Sequence, residues 1–410
     1  MKTVHVIGAG LAGLSAATAL AAKGANVALY EAAPQAGGRC RSYFDPTLGQ
    51  VIDNGNHFVL TGNHATMNYL RRTGAEHQLI GPDKARTSFV DIRTGSRWTI
   101  APNDGPLPLW LFDPVRRVPG TRPADYLEIF KLLFARSDQR IDDVLSCKGA
   151  LWDLLLQPFF LGALNTQPEG ASASLAGALV RETFARGGRA YRTRVAHPTL
   201  AAAFVEPALA HLAEHGATVA FGQRLRRIVF DGARVCALEF PERTVAVPER
   251  DAAILAVPPW VAQELLPEID VPDAFSAIVN AHFKIAPPAD TPSMLGVIGG
   301  TVEWIFPFTD RISTTISGAD RLVDMEREAL AALLWRDVAS ALKLPEALPP
   351  WQIVKEKRAT FAATPEQAAK RPPARTRWKN LVLAGDWTAT GLPATIEGAI
   401  RSGETAAGLA

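Results

Sequence analysis

A β-branched run, Thr3–Ile7, leads without a break into Gly8-Ala9-Gly10-Leu11-Ala12-Gly13, and an alanine-rich stretch follows. Few folds accept a strand that ends on such glycines and opens straight into a helix. Gly8 permits the tight turn, Gly10 lets backbone approach a pyrophosphate, and Gly13 allows close packing of helix on sheet. The helix N-terminus adds unpaired N–H groups and the positive end of its dipole. The helix is expected over 14–23, stopped by Gly24, and a second strand, Asn26–Tyr30, ends at Glu31, where a carboxylate accepts ribose hydroxyls. One βαβ unit of this kind implies a parallel sheet and a dinucleotide site.

Length and composition set the surroundings of that unit. At about 150 residues per domain, 410 residues allow two to three domains. A content of 48% hydrophobic and 20% charged residues is globular, and a net charge of +2 implies no polyelectrolyte partner, so nucleic acid is not expected. Cys40, Cys147 and Cys236 lie far apart, which fits a reducing compartment, and the eight histidines show no ligand spacing, so no metal is expected. The N-terminus lacks the pattern of a signal peptide, and no apolar run approaches the ~18 residues of a membrane span.

Along the chain, 86–123 is rich in proline and reads as strands and loops. Helices are expected over 124–136, 141–160, 172–183 and 199–215. Strands return at 217–221, 224–230 and 234–240, around the Asp231-Gly232 turn, and at 252–257. Further strands are expected near 276–285, 294–308 and 312–317, a helix at 324–342, a last strand at 381–384 and a final helix from Pro393. Two interleaved domains follow. Residues 1–80, 210–270 and 376–410 form the nucleotide domain, and 81–209 with 271–375 form a substrate domain.

Two further motifs narrow the cofactor. Gly37-Gly38-Arg39 follows Glu31 closely, with Arg39 and Arg41 able to offset pyrophosphate charge or meet a flavin edge. Gly385-Asp386 ends the last strand, where the acid can bond a ribityl hydroxyl, and the helix starting near Pro393–Thr395 can aim its N-terminus at a flavin. GAGLAG, Glu31, GGR, Asp53-Asn54-Gly55 and the ending GDWTATGLPATIEGAIRSG resemble the FAD-dependent amine oxidase and phytoene desaturase superfamily. DNGNHFVLTGNHATMNYLRRTGA (53–75) and WDLLLQPFFLGALNTQPEGASASL (152–175) are similar to the hydroxysqualene dehydroxylases, the squalene-associated flavoproteins of bacterial hopanoid pathways.

The resemblance implies an α/β fold: a Rossmann-like FAD-binding domain of the glutathione-reductase and amine-oxidase type, interleaved with an α+β substrate domain. It implies FAD as cofactor, with contacts from Gly8, Gly10, Leu11, Ala12, Gly13, Glu31, Ala32, Gly37, Gly38, Arg39, Asn54, Gly55, Asn56, His57, Ile228, Gly385, Asp386, Ala394, Thr395 and Ile396. It further implies an oxidoreductase that reductively removes the hydroxyl of hydroxysqualene, a C30 isoprenoid, to give squalene. The allylic hydroxyl leaves as water and the cation accepts hydride from reduced flavin. His57, Asp53 and Glu397 are the candidate proton donors. Trp152, Phe159, Phe160, Trp304, Phe306 and Phe308 are aromatic candidates for an apolar tunnel, and Asn165 and Thr166 either border it or cap a helix.

No second GxGxxG is present for NAD(P)H, and the electron donor is left open. A lipid substrate places the enzyme in the cytoplasm, peripheral on the inner membrane. The segment from Gly105 to Phe112 (GPLPLWLF) either offers Leu107, Leu109, Trp110, Leu111 and Phe112 to a membrane surface, with Arg116 and Arg117 at headgroup reach, or packs as an apolar loop against its own domain. The alternatives are a desaturase or amine oxidase working oxidatively, and a flavin-binding escort protein without catalysis.

Overall fold

The computed structural model describes residues 2–410. A parallel sheet gathers five strands in the spatial order Thr218–Ala220, Asn26–Tyr30, Thr3–Ile7, Ala252–Leu255 and Leu381–Leu383. Parallel sheets are covered on both faces, and the side chains here alternate accordingly. Val4, Val6, Val27, Leu29, Ile254 and Val382 pack on one side, under the first helix, Leu11–Ala21, and the last, Ile396–Leu409. Ala28, Tyr30, Ala253 and Leu255 join the core on the other.

The two helices touch through absent side chains. A Cβ on Gly403 would lie 2.2 Å from the Ala12 carbonyl oxygen, and one on Gly13 would lie 1.8 Å from that of Gly8. The first helix begins at Leu11, three residues earlier than expected, so Gly13 already sits in its first turn.

A seven-stranded sheet lies against this unit, in the order Trp351–Phe361, Phe275–Phe283, Ile312–Ile316, Trp304–Pro307, Leu295–Ile298, Thr87–Asp91 and Arg97–Ile100. One face, with Val279, Ala281, Phe283, Ile305 and Ile312, takes the helix Arg327–Leu342. Phe89, Trp98, Trp304 and Phe306 point the other way, into a core shared with Trp152, Leu155, Phe160 and Leu164.

Several expected elements differ. Residues 123–134 wind as 3₁₀ turns: Tyr126, Ile129 and Leu132 are the buried positions, and a three-residue spacing aligns only at three residues per turn. The expected 141–160 helix is interrupted. Cys147 and Gly149 take positive φ, and the chain resumes as a π turn, Trp152–Leu156, before the helix Gln157–Leu164. Pro158 has no N–H to return to Leu154, which a wider turn accommodates. Glycines 299 and 300 split the expected 294–308 strand in two. The 210 boundary does not mark a change in packing, since Ala196, Leu200, Phe204 and Ala208 belong to the core under the first helix.

The 105–112 segment, expected to meet either a membrane or its own domain, is divided. Trp110 and Leu111 are buried, with Trp110 edge-to-face on Tyr126, so these two serve the core. Leu107, Leu109 and Phe112 face solvent.

The helix contact yields a paired test. Gly403→Ala should lower the melting temperature, with a loss of about 1–3 kcal/mol from overpacking against backbone. Gly408→Ala, in the same helix and facing open space, should hold or raise it. Calorimetry on both variants checks the packing.

Candidate functional site

The glycine-rich turn builds one end of the site. Gly8 sits at φ +103° and donates its N–H to the Tyr30 carbonyl (2.7 Å). A Cβ on Gly10 would meet open space, while Gly37 donates to the Ala9 carbonyl (2.8 Å) and brings Gly38 alongside Gly10. Among the described residues no protein acceptor pairs with the N–H groups of Leu11 and Ala12, both buried. An open groove at Gly10, with free amides at a helix N-terminus, fits a diphosphate.

Glu31 is placed as expected, at the end of its strand. Its Oε2 accepts from the Ala9 N–H (2.7 Å) and its Oε1 from the Ala33 N–H (2.8 Å), so the carboxylate is aimed before any ribose arrives. Ala32 beside it is exposed. Ile228 is buried in the strand Arg227–Asp231, which follows a segment joined to Glu31 through the Gln223 N–H (2.8 Å).

Arg39 and Asp386 were each expected to face the cofactor, and the structure pairs them. Arg39 Nη2 donates to both carboxylate oxygens (2.8 and 2.7 Å), and Nη1 donates to the Ala359 carbonyl (2.6 Å). Their charges offset one another across more than three hundred residues of sequence. Asp386 is buried, and its carbonyl accepts from Arg371 (3.0 Å), whose guanidinium also serves the Thr388 carbonyl. Next to Gly385-Asp386, Thr395 caps the last helix by accepting from the Gly398 N–H (3.0 Å), with Ala394 half-buried and Ile396 buried beside it.

The 53–57 segment runs between the two sheets, held by residues that sequence reasoning missed. Asn280 Oδ1 accepts from the Thr315 hydroxyl (2.8 Å) and the Asn56 N–H (3.4 Å). Its Nδ2 is 3.1 Å from where a Gly55 Cβ would be. Asn56 donates to the Thr314 carbonyl (3.1 Å), and Asn54 reaches Glu356 (3.3 Å). His282 is fully buried, with its value pushed down to about 3 by burial and then by Arg311. It is therefore neutral, and its contacts settle the tautomer: Nε2–H donates to the Asp53 carbonyl (3.0 Å) and Nδ1 accepts from Ser313 (2.7 Å). The available signal was alternation, since Asn280 and His282 are polar positions between Val279, Ala281 and Phe283.

The three candidate acids fare differently. Asp53 Oδ1 accepts from the Ser42 hydroxyl (2.6 Å) and the Leu200 N–H (2.9 Å), so it ties its strand to a helix start. Glu397 accepts from the Ala65 and Thr66 amides, the Thr66 hydroxyl and Arg401, and so locks the last helix to the start of His64–Arg72. Glu397 has both oxygens engaged, whereas Asp53 keeps Oδ2 without a hydrogen bond among the described residues, 3.9 Å from Arg311, and burial raises its pKa above the ordinary carboxylate value. His57 stands at the end of the segment, beside Phe58, and burial followed by Arg39 pushes it down to about 4, leaving a neutral ring near pH 7. Asn165 caps nothing by side chain; it bridges the Thr360 hydroxyl and the Gly318 N–H.

The scan against protein families matches residues 11–410 to the flavin-containing amine oxidoreductases. The chain belongs to that family. It is 53% identical over 409 residues to hydroxysqualene dehydroxylase of Rhodopseudomonas palustris, covering 100% of this chain and 98% of that one. It is 49% identical over 410 residues to hydroxysqualene dehydroxylase of Zymomonas mobilis, covering 100% and 99%. Among solved structures, an oxidoreductase from Methanosarcina mazei shares the fold, with a TM-score of 0.73, 15% identity and 99% coverage of both chains. The protein is an FAD-dependent oxidoreductase with the α/β fold of that family.

One half-buried acid, Glu303, lies outside this site and is held near neutrality. Burial pushes Glu303 up to about 8, against the Ser317 N–H that it accepts (2.9 Å). It pairs across the hairpin with Val297, on the sheet face opposite Trp304. Its raised value means that folding favours the protonated form, so stability falls as pH rises from the ordinary carboxylate range through about 8. Glu303→Gln should match the parent at acid pH and exceed its melting temperature by a growing margin toward alkaline pH. A margin that does not grow with pH would refute the assignment.

Proposed function

We propose that the protein converts hydroxysqualene to squalene by reductive dehydroxylation. The observation that carries this reading is the likeness to hydroxysqualene dehydroxylases over the whole length of the chain. The allylic hydroxyl leaves as water, and bound reduced FAD supplies the hydride that quenches the resulting cation. The chain's own residues provide the setting. Phe58, Phe89, Trp98 and Trp304 form a contiguous aromatic wall, with Phe58 and Phe89 6.1 and 5.8 Å from Trp304 between ring centres. Such a wall excludes the water that would recapture a cation and presents ring faces to positive charge. Within it, Trp304 Nε1 is buried with no protein acceptor among the described residues, a donor available to a hydroxyl.

His57 is the proton-handling group in this reading. It adjoins Phe58 of the aromatic wall, whereas Glu397 has both oxygens engaged and Asp53 is tied through Oδ1 to Ser42 and a helix start. A hydroxyl leaves as water only with a proton added, so the ring, neutral at rest, takes up a proton from outside the site and passes it to the departing hydroxyl, returning to the neutral form. No helix among the described residues is long and apolar enough to cross a membrane. The enzyme works on the cytoplasmic surface of the inner membrane, where such a substrate resides, and takes its electrons from a donor outside the chain.

The direction of electron flow tests the reading. Under anaerobic conditions, chemically reduced enzyme mixed with hydroxysqualene should regain its oxidised flavin spectrum and release about one squalene per flavin. Reduction in deuterated buffer should leave deuterium at the former carbinol carbon. Oxidised enzyme that bleaches while desaturating a polyene would replace this reading with the oxidative one. His57→Phe should slow the reductive turnover by about a hundredfold or more with flavin content retained.

A further inference from the structure

Leu107, Leu109, Phe112, Val115, Leu127 and Phe134 all stand open to solvent within one stretch of chain, Val115 and Phe134 by 84% and 86%. Contiguous exposed apolar surface marks a site of interaction. Trp110, edge-to-face on Tyr126 at 5.5 Å, holds the 109–112 and 123–134 turns side by side. The Tyr126 hydroxyl also accepts from the Val118 N–H (3.0 Å).

A narrow cleft opens beside these residues. Pro102, Pro106, Pro108 and Trp110 line one wall, and Phe184 and Tyr191 the other. Its edge is closed by backbone, with the Gly188 N–H donating to the Asn103 carbonyl (2.9 Å). From the cleft, aromatic side chains packed on one another and on a small core lead inward. Phe184 lies 5.5 Å from Tyr191 and 5.4 Å from Phe159. Phe159 and Phe58 both pack on the small core of Leu60, Ala85 and Tyr191, and Phe58 adjoins His57 and Trp304.

We propose that this cleft is the mouth of the substrate passage, that the apolar patch seats it on a lipid bilayer, and that a polyisoprenoid chain slides inward past Phe184 and Phe159 to Phe58. The inference rests on the dehydroxylase reading and adds a route and a docking face to it. A bilayer is the occupant because the patch adjoins a cleft walled by proline and aromatic side chains, which a protein partner would not require. Arg122 and Lys131, exposed at the rim of the patch, pair with Asp125 and Glu128, within reach of lipid headgroups.

The test uses the FAD-loaded enzyme on vesicles containing phosphatidylglycerol and a C30 isoprenoid alcohol that carries a diazirine. After irradiation, label is expected on peptides from 102–110 and 183–191 as well as on those holding Phe58 and Phe159. Label on Phe58 and Phe159 alone overturns the mouth and leaves the dehydroxylase reading standing. Absence of label at Phe58 and Phe159 overturns that reading itself. Phe184→Asp should lower kcat/KM for vesicle-borne hydroxysqualene about tenfold or more, since the apolar chain must pass a desolvated charge. Unchanged kcat/KM overturns the route. Leu109→Ser with Phe112→Ser should release the enzyme from vesicles. Retained binding, or a solution dimer that buries the patch, overturns the docking face.

Discussion

The architecture hangs on how closely three backbone segments approach one another. Gly8, Gly13 and Gly403 have no side chain where a carbonyl oxygen or another helix must pass, and the first helix is set between the turn and the last helix as a result. A methyl group at either helix position would push the first helix off its sheet. That placement leaves the amides of Leu11 and Ala12 facing an open groove and fixes the last helix so that Thr395 caps it beside Asp386. The nucleotide groove is thus a product of close packing as much as of hydrogen-bonding chemistry.

Around the reacting region the protein keeps few free charges. Arg39 and Asp386 neutralise each other, Glu397 is spent on a helix start and Asp53 on another, and both histidines along the 53–57 segment are neutral. The backbone and amide bonds of Asn56, Asn280 and His282 hold the segment in a single conformation, while Arg311 stays buried against it with Nε and Nη2 lacking hydrogen-bond partners among the described residues. The aromatic wall completes this environment with surface that neither hydrates nor titrates. A site of this kind suits a charge that exists only briefly and must meet hydride before water.

Much of the nucleotide side was legible because its signals are local. Glycine spacing, a strand-ending acid and a capped helix each lie within a few residues, and Gly8, Glu31 and Thr395 stand where their neighbours in sequence dictate. The pairing of Arg39 with Asp386, and of Glu397 with Thr66, was not legible, since each links positions more than three hundred residues apart. Nor was the clamp of Asn280, His282 and Thr315, which depends on which face of a strand meets another sheet. The interruption after Ile141 and the 3₁₀ winding of 123–134 escaped for a different reason: helical periods of 3.0 and 3.6 are hard to tell apart over short runs. Trp110 shows the same limit, an aromatic in an exposed-looking proline-rich loop that turns inward to Tyr126.

The parallel sheet closes by pairing Ala252–Leu255 with Leu381–Leu383, and the last helix then covers the first. During synthesis the chain emerges from its N-terminus, so the glycine-rich turn is made early and waits for the final thirty residues before it is buttressed. Long-range pairings of this kind are the slow steps of folding, and the exposed strand edge of Ala252–Leu255 is unprotected meanwhile. The groove is therefore complete only once the last helix has been made, and a chain stopped short of that helix leaves an open edge for chaperones and proteases to find.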